Sequence, residues 1–290
     1  MKKTFSSKKS AFSLIELSIV LIIIGLLIAG ITGGASLIKS SELRSAMGEA
    51  RGYAVAVNGF YSQYNYLPGD YATAVASAAV SSTSTAAYTG SAASGQNGRI
   101  EYNTASVGTY LSESVAAWDQ LIKSGTMETT TLTRAATTTA QVPVTNMPSS
   151  KIKNGGWHFD YRINVGTTSN TDYAAAVSAV YEGVAAAPAY QNVVVLTGTT
   201  TVASSTDTTA IKNTLVNGSN LATAVLTGPD AMSIDTKIDD SYANAGKVRG
   251  LSAGTSTTCY SASASSNVAY TVTSSTNKVC ALTFQVDVNS

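Results

Sequence analysis

One acidic residue, Glu16, interrupts an otherwise apolar run that covers residues 14–31. On insertion scales an ionised carboxylate at the centre of a bilayer costs about 2.5–3.5 kcal/mol, so Glu16 should have a partner or a purpose. Cleavage between Ala11 and Phe12 would create an amine on Phe12, four residues before Glu16. Positions at that spacing share a helix face, but the amine pairs still better with the carboxylate of a neighbouring copy. These residues therefore predict ion pairing between packed helices.

The apolar run is long enough to cross most of the roughly 30 Å hydrocarbon core as a helix. Residues 1–11 contain four lysines and no acid, so the positive-inside rule keeps them in the cytoplasm while the rest is exported. A secretory signal peptide would be cut after its apolar run, whereas the cut expected here precedes it and leaves the helix in the mature chain. The alternative is an ordinary signal anchor of a monomeric membrane protein, which has no need of an acid at this position.

The segment Ala11-Phe12-Ser13-Leu14-Ile15-Glu16, followed by an apolar helix, resembles the class III signal of type IV pilins and type II secretion pseudopilins. The resemblance implies cleavage between Ala11 and Phe12 by prepilin peptidase, N-methylation of Phe12, and a docking role for Glu16. Two departures are Ala11 in place of the usual Gly, and the absence of a helix-bending Pro from the run. The implied partners are identical or related pilin subunits, the peptidase and an inner-membrane assembly platform. Before assembly the subunit is expected to lie in the inner membrane.

Charged residues enter the sequence after the apolar run while apolar residues persist, which predicts an amphipathic continuation of the helix. Its apolar face should pack on a head, and its charged face should turn to solvent or another subunit. The helix should end near Tyr64, because Asn65, Pro68 and Gly69 are turn residues. The expected segments are a leader at 1–11, a membrane and filament-core helix at 12–35, the continuation at 36–64, and a head at 65–290.

The head should be α+β, with an antiparallel sheet laid against the N-terminal helix. Apolar residues at helical spacing around Trp118 predict one helix, in which Trp118 faces the core. Residues 72–98, rich in Ala, Ser, Thr and Gly, read as an exposed loop. The predicted strands cover residues 157–163, 192–196, 268–273 and 279–288.

Two residues in the head invite a functional interpretation that their context does not favour. Asp70 follows Pro68 and Gly69, where an Asp is more often a turn or capping residue than a cation ligand. His158 is the only histidine, and with no second histidine or nearby nucleophile it is predicted to be a sheet residue.

Three acids, Asp235, Asp239 and Asp240, lie at the end of a segment that begins like a helix at Gly228 and Pro229. Carboxylates are hard oxygen ligands of the kind that Ca²⁺ prefers, and calcium stabilises some of the pseudopilin heads that this chain resembles. The spacing is not that of an EF-hand, and the acids could instead line a wet helix face. Calcium is the one cofactor for which the sequence offers a candidate site.

Cys259 and Cys280 are the only cysteines, and an even pair in an oxidising, exported compartment predicts a disulfide. Closing that loop would contribute roughly 3 kcal/mol on the chain-entropy model. The family resemblance agrees, because many type IV pilins have a disulfide-bounded C-terminal loop.

Composition fits an exported structural subunit better than an enzyme or a nucleic-acid-binding protein. Without the four leader lysines the chain has 14 basic residues against 17 acidic ones, so no general attraction to DNA is expected. No catalytic triad or phosphate-binding loop is recognisable. The resulting prediction is a subunit of a type IV pilus-like surface filament. The alternatives are a periplasmic secretion pseudopilin, which the sequence does not separate from a pilin, and a membrane-anchored adhesin or ligand-binding head, which would not need Glu16.

Overall fold

The computed structural model describes residues 13–70, 98, 100, 113–128, 143–145, 147–163, 190–199, 223–252, 259–260, 268–273 and 277–286. It has a long apolar N-terminal helix and a four-stranded antiparallel sheet, the α+β, pilin-like fold that the sequence predicts. The chain divides into two compact units, Met1–Glu42 and Leu43–Ser290. The predicted loop at 72–98 lies outside the described residues, apart from Gly98.

Helix α1 covers Leu14–Tyr64 and is helical at every residue between these bounds. It ends where the turn residues predicted an end. Asn65 has a φ of 60° and Gly69 a φ of 86°, both in the left-handed region that a continuing helix does not use.

The part of α1 that follows Glu42 buries one stripe of its surface in the core of the second unit. The buried residues recur at intervals of three and four, as expected for one helix face. They are Leu43, Ala46, Met47, Ala50, Ala56, Val57 and Phe60. Val55 is apolar but 72% exposed, because it lies two residues from Val57 and therefore on the far side of the helix.

Glu49 departs from the prediction that the charged face of α1 turns to solvent or another subunit. Its carboxylate accepts hydrogen bonds from the Trp157 indole N–H at 2.9 Å, the Ser150 hydroxyl at 2.8 Å and the Lys151 backbone N–H at 3.1 Å. The sequence offered no signal for this, since the donors lie about a hundred residues further along the chain.

Helix α2 covers Glu113–Lys123 and ends before Gly125, which has a φ of 73°. Trp118 is 1% exposed, which confirms the prediction of a core-facing residue. Its ring centroid lies 4.9 Å from that of Tyr53 on α1 in an edge-on arrangement, and 4.2 Å from that of Phe159.

The sheet has the order β1-β2-β4-β3 and is antiparallel throughout. Its strands are β1 (Gly156–Ile163), β2 (Tyr190–Thr197), β3 (Val248–Ser252) and β4 (Cys280–Gln285). Three of these match predicted strands, whereas β3 was not predicted. The prediction of a strand at 268–273 is wrong, because this segment makes only isolated bridges at Ala269 and Tyr270.

Alternate residues of the strands point to opposite faces of the sheet, where they pack in two different clusters of buried side chains. Val194, Leu196 and Phe284 join the main core with α1 and α2. Val193 and Val195 point to the opposite face, where they pack with Leu251 and Ala281. Both faces of the sheet therefore bury apolar side chains.

Candidate functional site

The first candidate site is the start of α1, where Glu16 lies in the first turn of the helix. The Ser13 backbone N–H donates to Glu16 Oε2 at 3.0 Å, which is half of the Ser-x-x-Glu capping box. Ala11 and Phe12, the predicted cleavage residues, lie outside the described residues. The contact shows that the Glu16 carboxylate reaches back toward the end of the chain that cleavage would create.

The apolar side chains that follow Glu16 are exposed along the helix up to Ile38. Leu21 is 62% exposed and Ile31 is 70% exposed. Within the described part of the chain, α1 is the helix that is long and apolar enough to cross a membrane, and none of its 18-residue apolar window is buried. Apolar surface of this extent requires lipid or other helices around it.

The second candidate site lies at the end of helix α3, which covers Gly228–Ile238. Thr227 caps the helix by accepting the Asp230 backbone N–H, and Pro229 occupies the first turn, as predicted. Ala231, Ile234 and Asp235 lie on the buried face. Asp235 is 0% exposed, so it does not line a wet helix face.

Asp235, Asp239 and Asp240 each offer a carboxylate oxygen, and these three oxygens lie within 4.8 Å of one another. Asp239 Oδ2 accepts the backbone N–H groups of Lys247 and Val248, the latter at 3.3 Å. Asp240 Oδ1 accepts the Tyr242 backbone N–H at 2.9 Å. Backbone donors from the loop that leads into β3 thus orient two of the carboxylates toward the third.

The Asp235 carboxylate is only half satisfied. The Tyr270 hydroxyl donates to Oδ2 at 3.0 Å, whereas Oδ1 is buried and forms no hydrogen bond. Burial raises the pKa of Asp235 to about 7; the hydrogen bond from Tyr270 and the approach of the Ser241 backbone N–H oppose this rise, and the charges of Asp240 and Asp239 add to it. Burial also raises the pKa of Tyr270, reinforced by the charge of Asp235. An orphaned buried oxygen beside two further carboxylates fits the donor set of a hard divalent cation.

Tyr270 belongs to the segment that the disulfide encloses. Cys259 and Cys280 are bonded, as predicted, and lie 21 positions apart in the sequence. A Cβ atom at Gly250 of β3 would lie only 2.7 Å from Tyr270 Cε1, so the absence of a side chain there lets the tyrosine ring pack close to the strand. No local sequence pattern indicates the contact between Tyr270 and Asp235, because the two residues are 35 positions apart.

The other singled-out residues have structural positions. Asp70 is 4% exposed and its Oδ2 accepts the Gly98 backbone N–H at 2.9 Å, in keeping with the prediction of a turn residue. His158 lies in β1, with Nε2 4.0 Å from Asp160 Oδ2, and both residues are fully buried. Burial lowers the pKa of His158 to about 3.

Comparison with known families bears on the first site. Residues 6–32 match the prokaryotic N-terminal methylation motif. This is the signal of type IV pilins and pseudopilins. The match includes the predicted cleavage residues and Glu16, and it implies processing by prepilin peptidase and assembly into filaments. No curated protein and no solved structure matches the chain.

Proposed function

We propose that the mature chain, beginning at N-methylated Phe12, is the structural subunit of a type IV pilus-like surface filament. The observation that carries the proposal is the exposed apolar surface of α1 with one acid, Glu16, in its first turn, inside a methylation motif. Before assembly the helix lies in the inner membrane, and in the filament the same surface packs against the helices of other subunits.

Glu16 sets the position of each subunit against its neighbour. Its carboxylate, which in the single chain accepts the Ser13 backbone N–H, pairs with the charged amine of Phe12 on an adjacent subunit. In an apolar helix bundle an unpaired carboxylate is costly, so the subunit register that pairs every acid is strongly preferred. The peptidase supplies that amine, and the inner-membrane assembly platform brings the subunits together.

Replacement of Glu16 tests the proposal. Glu16→Gln keeps an oxygen that can accept the Ser13 backbone N–H but removes the charge. We expect the variant to be processed normally and to fall at least tenfold in the fraction sheared from the cell surface, which corresponds to about 1.4 kcal/mol. Immunoblots of sheared and membrane fractions provide the measurement.

Glu42→Gln, the same chemical change further along α1, is the matched control and should assemble normally. Normal amounts of Glu16→Gln in the sheared fraction would contradict the proposal and favour a membrane-anchored adhesin. If the wild-type chain is processed but stays with the membrane fraction, the subunit belongs to a secretion pseudopilus instead.

A further inference from the structure

We propose that Asp235, Asp239 and Asp240 bind one divalent cation of the Ca²⁺ type at the C-terminal end of α3. Calcium takes oxygen ligands at about 2.3–2.6 Å, so two ligands on opposite sides of one ion are roughly 4.6–5.2 Å apart. The three candidate oxygens lie within 4.8 Å of one another, which one ion can span.

The independent observation is the buried oxygen of Asp235. The residue is 0% exposed and its Oδ1 forms no hydrogen bond, although its Oδ2 accepts the Tyr270 hydroxyl. A buried polar atom that is left unsatisfied destabilises the fold, and a charged group does so more strongly. A cation coordinated by this oxygen removes that destabilisation, whereas an acidic cluster that served only to shape the loop would leave it in place.

The other two carboxylates are held ready for such an ion. One oxygen of Asp239 accepts the backbone N–H groups of Lys247 and Val248, and one oxygen of Asp240 accepts that of Tyr242. These hydrogen bonds already orient each carboxylate, so binding of the ion does not have to order them. Water and backbone carbonyl groups can complete the six to eight ligands that calcium takes.

Binding at this site would stabilise two parts of the head together. Asp235 is on α3, and its contact with Tyr270 reaches the segment enclosed by the Cys259–Cys280 disulfide. A cation that holds Asp235 in its present orientation therefore also holds the Tyr270 side chain. Cation binding at this site is independent of filament assembly, because all three carboxylates belong to the head of one chain.

Calcium-dependent melting of the purified full chain in detergent tests the site. The probe is CaCl₂ alone at about 5 mM, above the roughly 0.1–1 mM dissociation constants of extracellular calcium modules, against EDTA at matched ionic strength. We expect calcium to raise Tm by about 2–8 °C. Asp235→Asn and Asp240→Asn should each lose this rise, and Asp235→Asn should melt in EDTA at or above the wild-type temperature, because a repelling charge has been removed.

Asp230→Asn, at the other end of α3, is the matched control. It weakens the Thr227 cap and so lowers Tm overall, but it should keep the calcium-induced rise. No rise in the wild-type chain would overturn the proposal, as would a rise that survives in both Asp235→Asn and Asp240→Asn. If Asp235→Asn has no cooperative transition, Asp240→Asn decides, since its side chain lies at the surface end of the cluster.

Discussion

Among individual side chains, Glu49 has the most unexpected role, because one carboxylate on α1 receives three donors from the head. The Trp157 indole, the Ser150 hydroxyl and the Lys151 backbone N–H all donate to it. A hydrogen bond to a charged group contributes about 1.5–3 kcal/mol to the stability of the fold. A buried donor that is left without an acceptor lowers that stability. Glu49 therefore fixes the second part of α1 to β1 and to the loop that precedes it.

We expect Glu49→Ala to lower the free energy of unfolding by about 1–3 kcal/mol, because the buried Trp157 N–H loses its acceptor. Glu49→Gln keeps a neutral acceptor and should lose less than Glu49→Ala. Fluorescence of the two tryptophans, Trp118 and Trp157, during urea unfolding provides the measurement, since both are buried in the head. Equal losses for the two variants would contradict this expectation, because they would mean that the neutral amide of Gln does not replace the charged acceptor.

Residue-level prediction from the sequence succeeded where a motif or a turn carried the information. The Gly228-Pro229 start of α3 and the turn after Tyr64 are fixed by backbone preferences that act within a few residues. The Asp235–Tyr270 contact and the Glu49 contacts join positions 35 to 108 residues apart. No local pattern encodes such contacts, because they exist only once the sheet has formed.

Helix α1 shows two kinds of apolar surface along its length. Up to Ile38 the large apolar side chains are exposed, whereas beyond Glu42 one stripe of them is buried. Apolar content alone predicted both parts as helix but did not show which apolar residues of the second part are buried. Val55 lies on the opposite side of the helix from the buried Val57, and it is 72% exposed.

We expect Phe60→Ala to lower the free energy of unfolding of the head by about 3–5 kcal/mol, because Phe60 is 0% exposed and its removal leaves a cavity. Val55→Ala on the same helix should change it by no more than about 0.5 kcal/mol. The same tryptophan-monitored urea unfolding measures both. Similar losses for the two variants would contradict the assignment of the buried face.

The strands of the sheet were harder to predict from the sequence than the helices. Residues 268–273 alternate as a strand should, but alternation does not reveal whether a neighbouring backbone is available to pair with them. Strand β3 was missed because Gly250 interrupts it, and a glycine lowers strand propensity. The structure supplies the reason for that glycine in the close approach of the Tyr270 ring.

The stability of the whole head should depend on pH through His158. Burial lowers the pKa of His158 to about 3, despite Asp160 4.0 Å away, whereas an unfolded chain has an ordinary pKa of about 6.5. Below about pH 6.5 the imidazole of His158 therefore binds a proton in the unfolded chain but stays neutral in the folded chain until the pH approaches 3. The stabilisation is fully present above pH 6.5 and is lost as the pH falls toward 3, by at most about 1.4 kcal/mol per unit.

Between pH 7 and pH 5 this effect should remove about 2 kcal/mol from the free energy of unfolding. His158→Gln cannot titrate in this range, so its unfolding free energy should change less with pH than that of the wild-type chain. The difference between the two pH profiles isolates His158 from all other titrating groups. Parallel profiles would mean that His158 is protonated in the folded head.

The methylation motif and the fold class could be read from the sequence because the N-terminal segment obeys rules of membrane insertion and helix periodicity. The motif covers residues 6–32 of a 290-residue chain, so it says little about the head. The head is where this chain can differ from others that carry the same signal, and the acidic cluster is the first feature to test there.

The most direct test of the filament proposal is the intact mass of the protein sheared from the cell surface. We predict a chain that begins at Phe12, carries one added methyl group and lacks two hydrogens because Cys259 and Cys280 are bonded. Those features together would place a processed, oxidised subunit in a surface filament. A sheared protein that retains residues 1–11, or a processed chain confined to the membrane, would contradict the proposal.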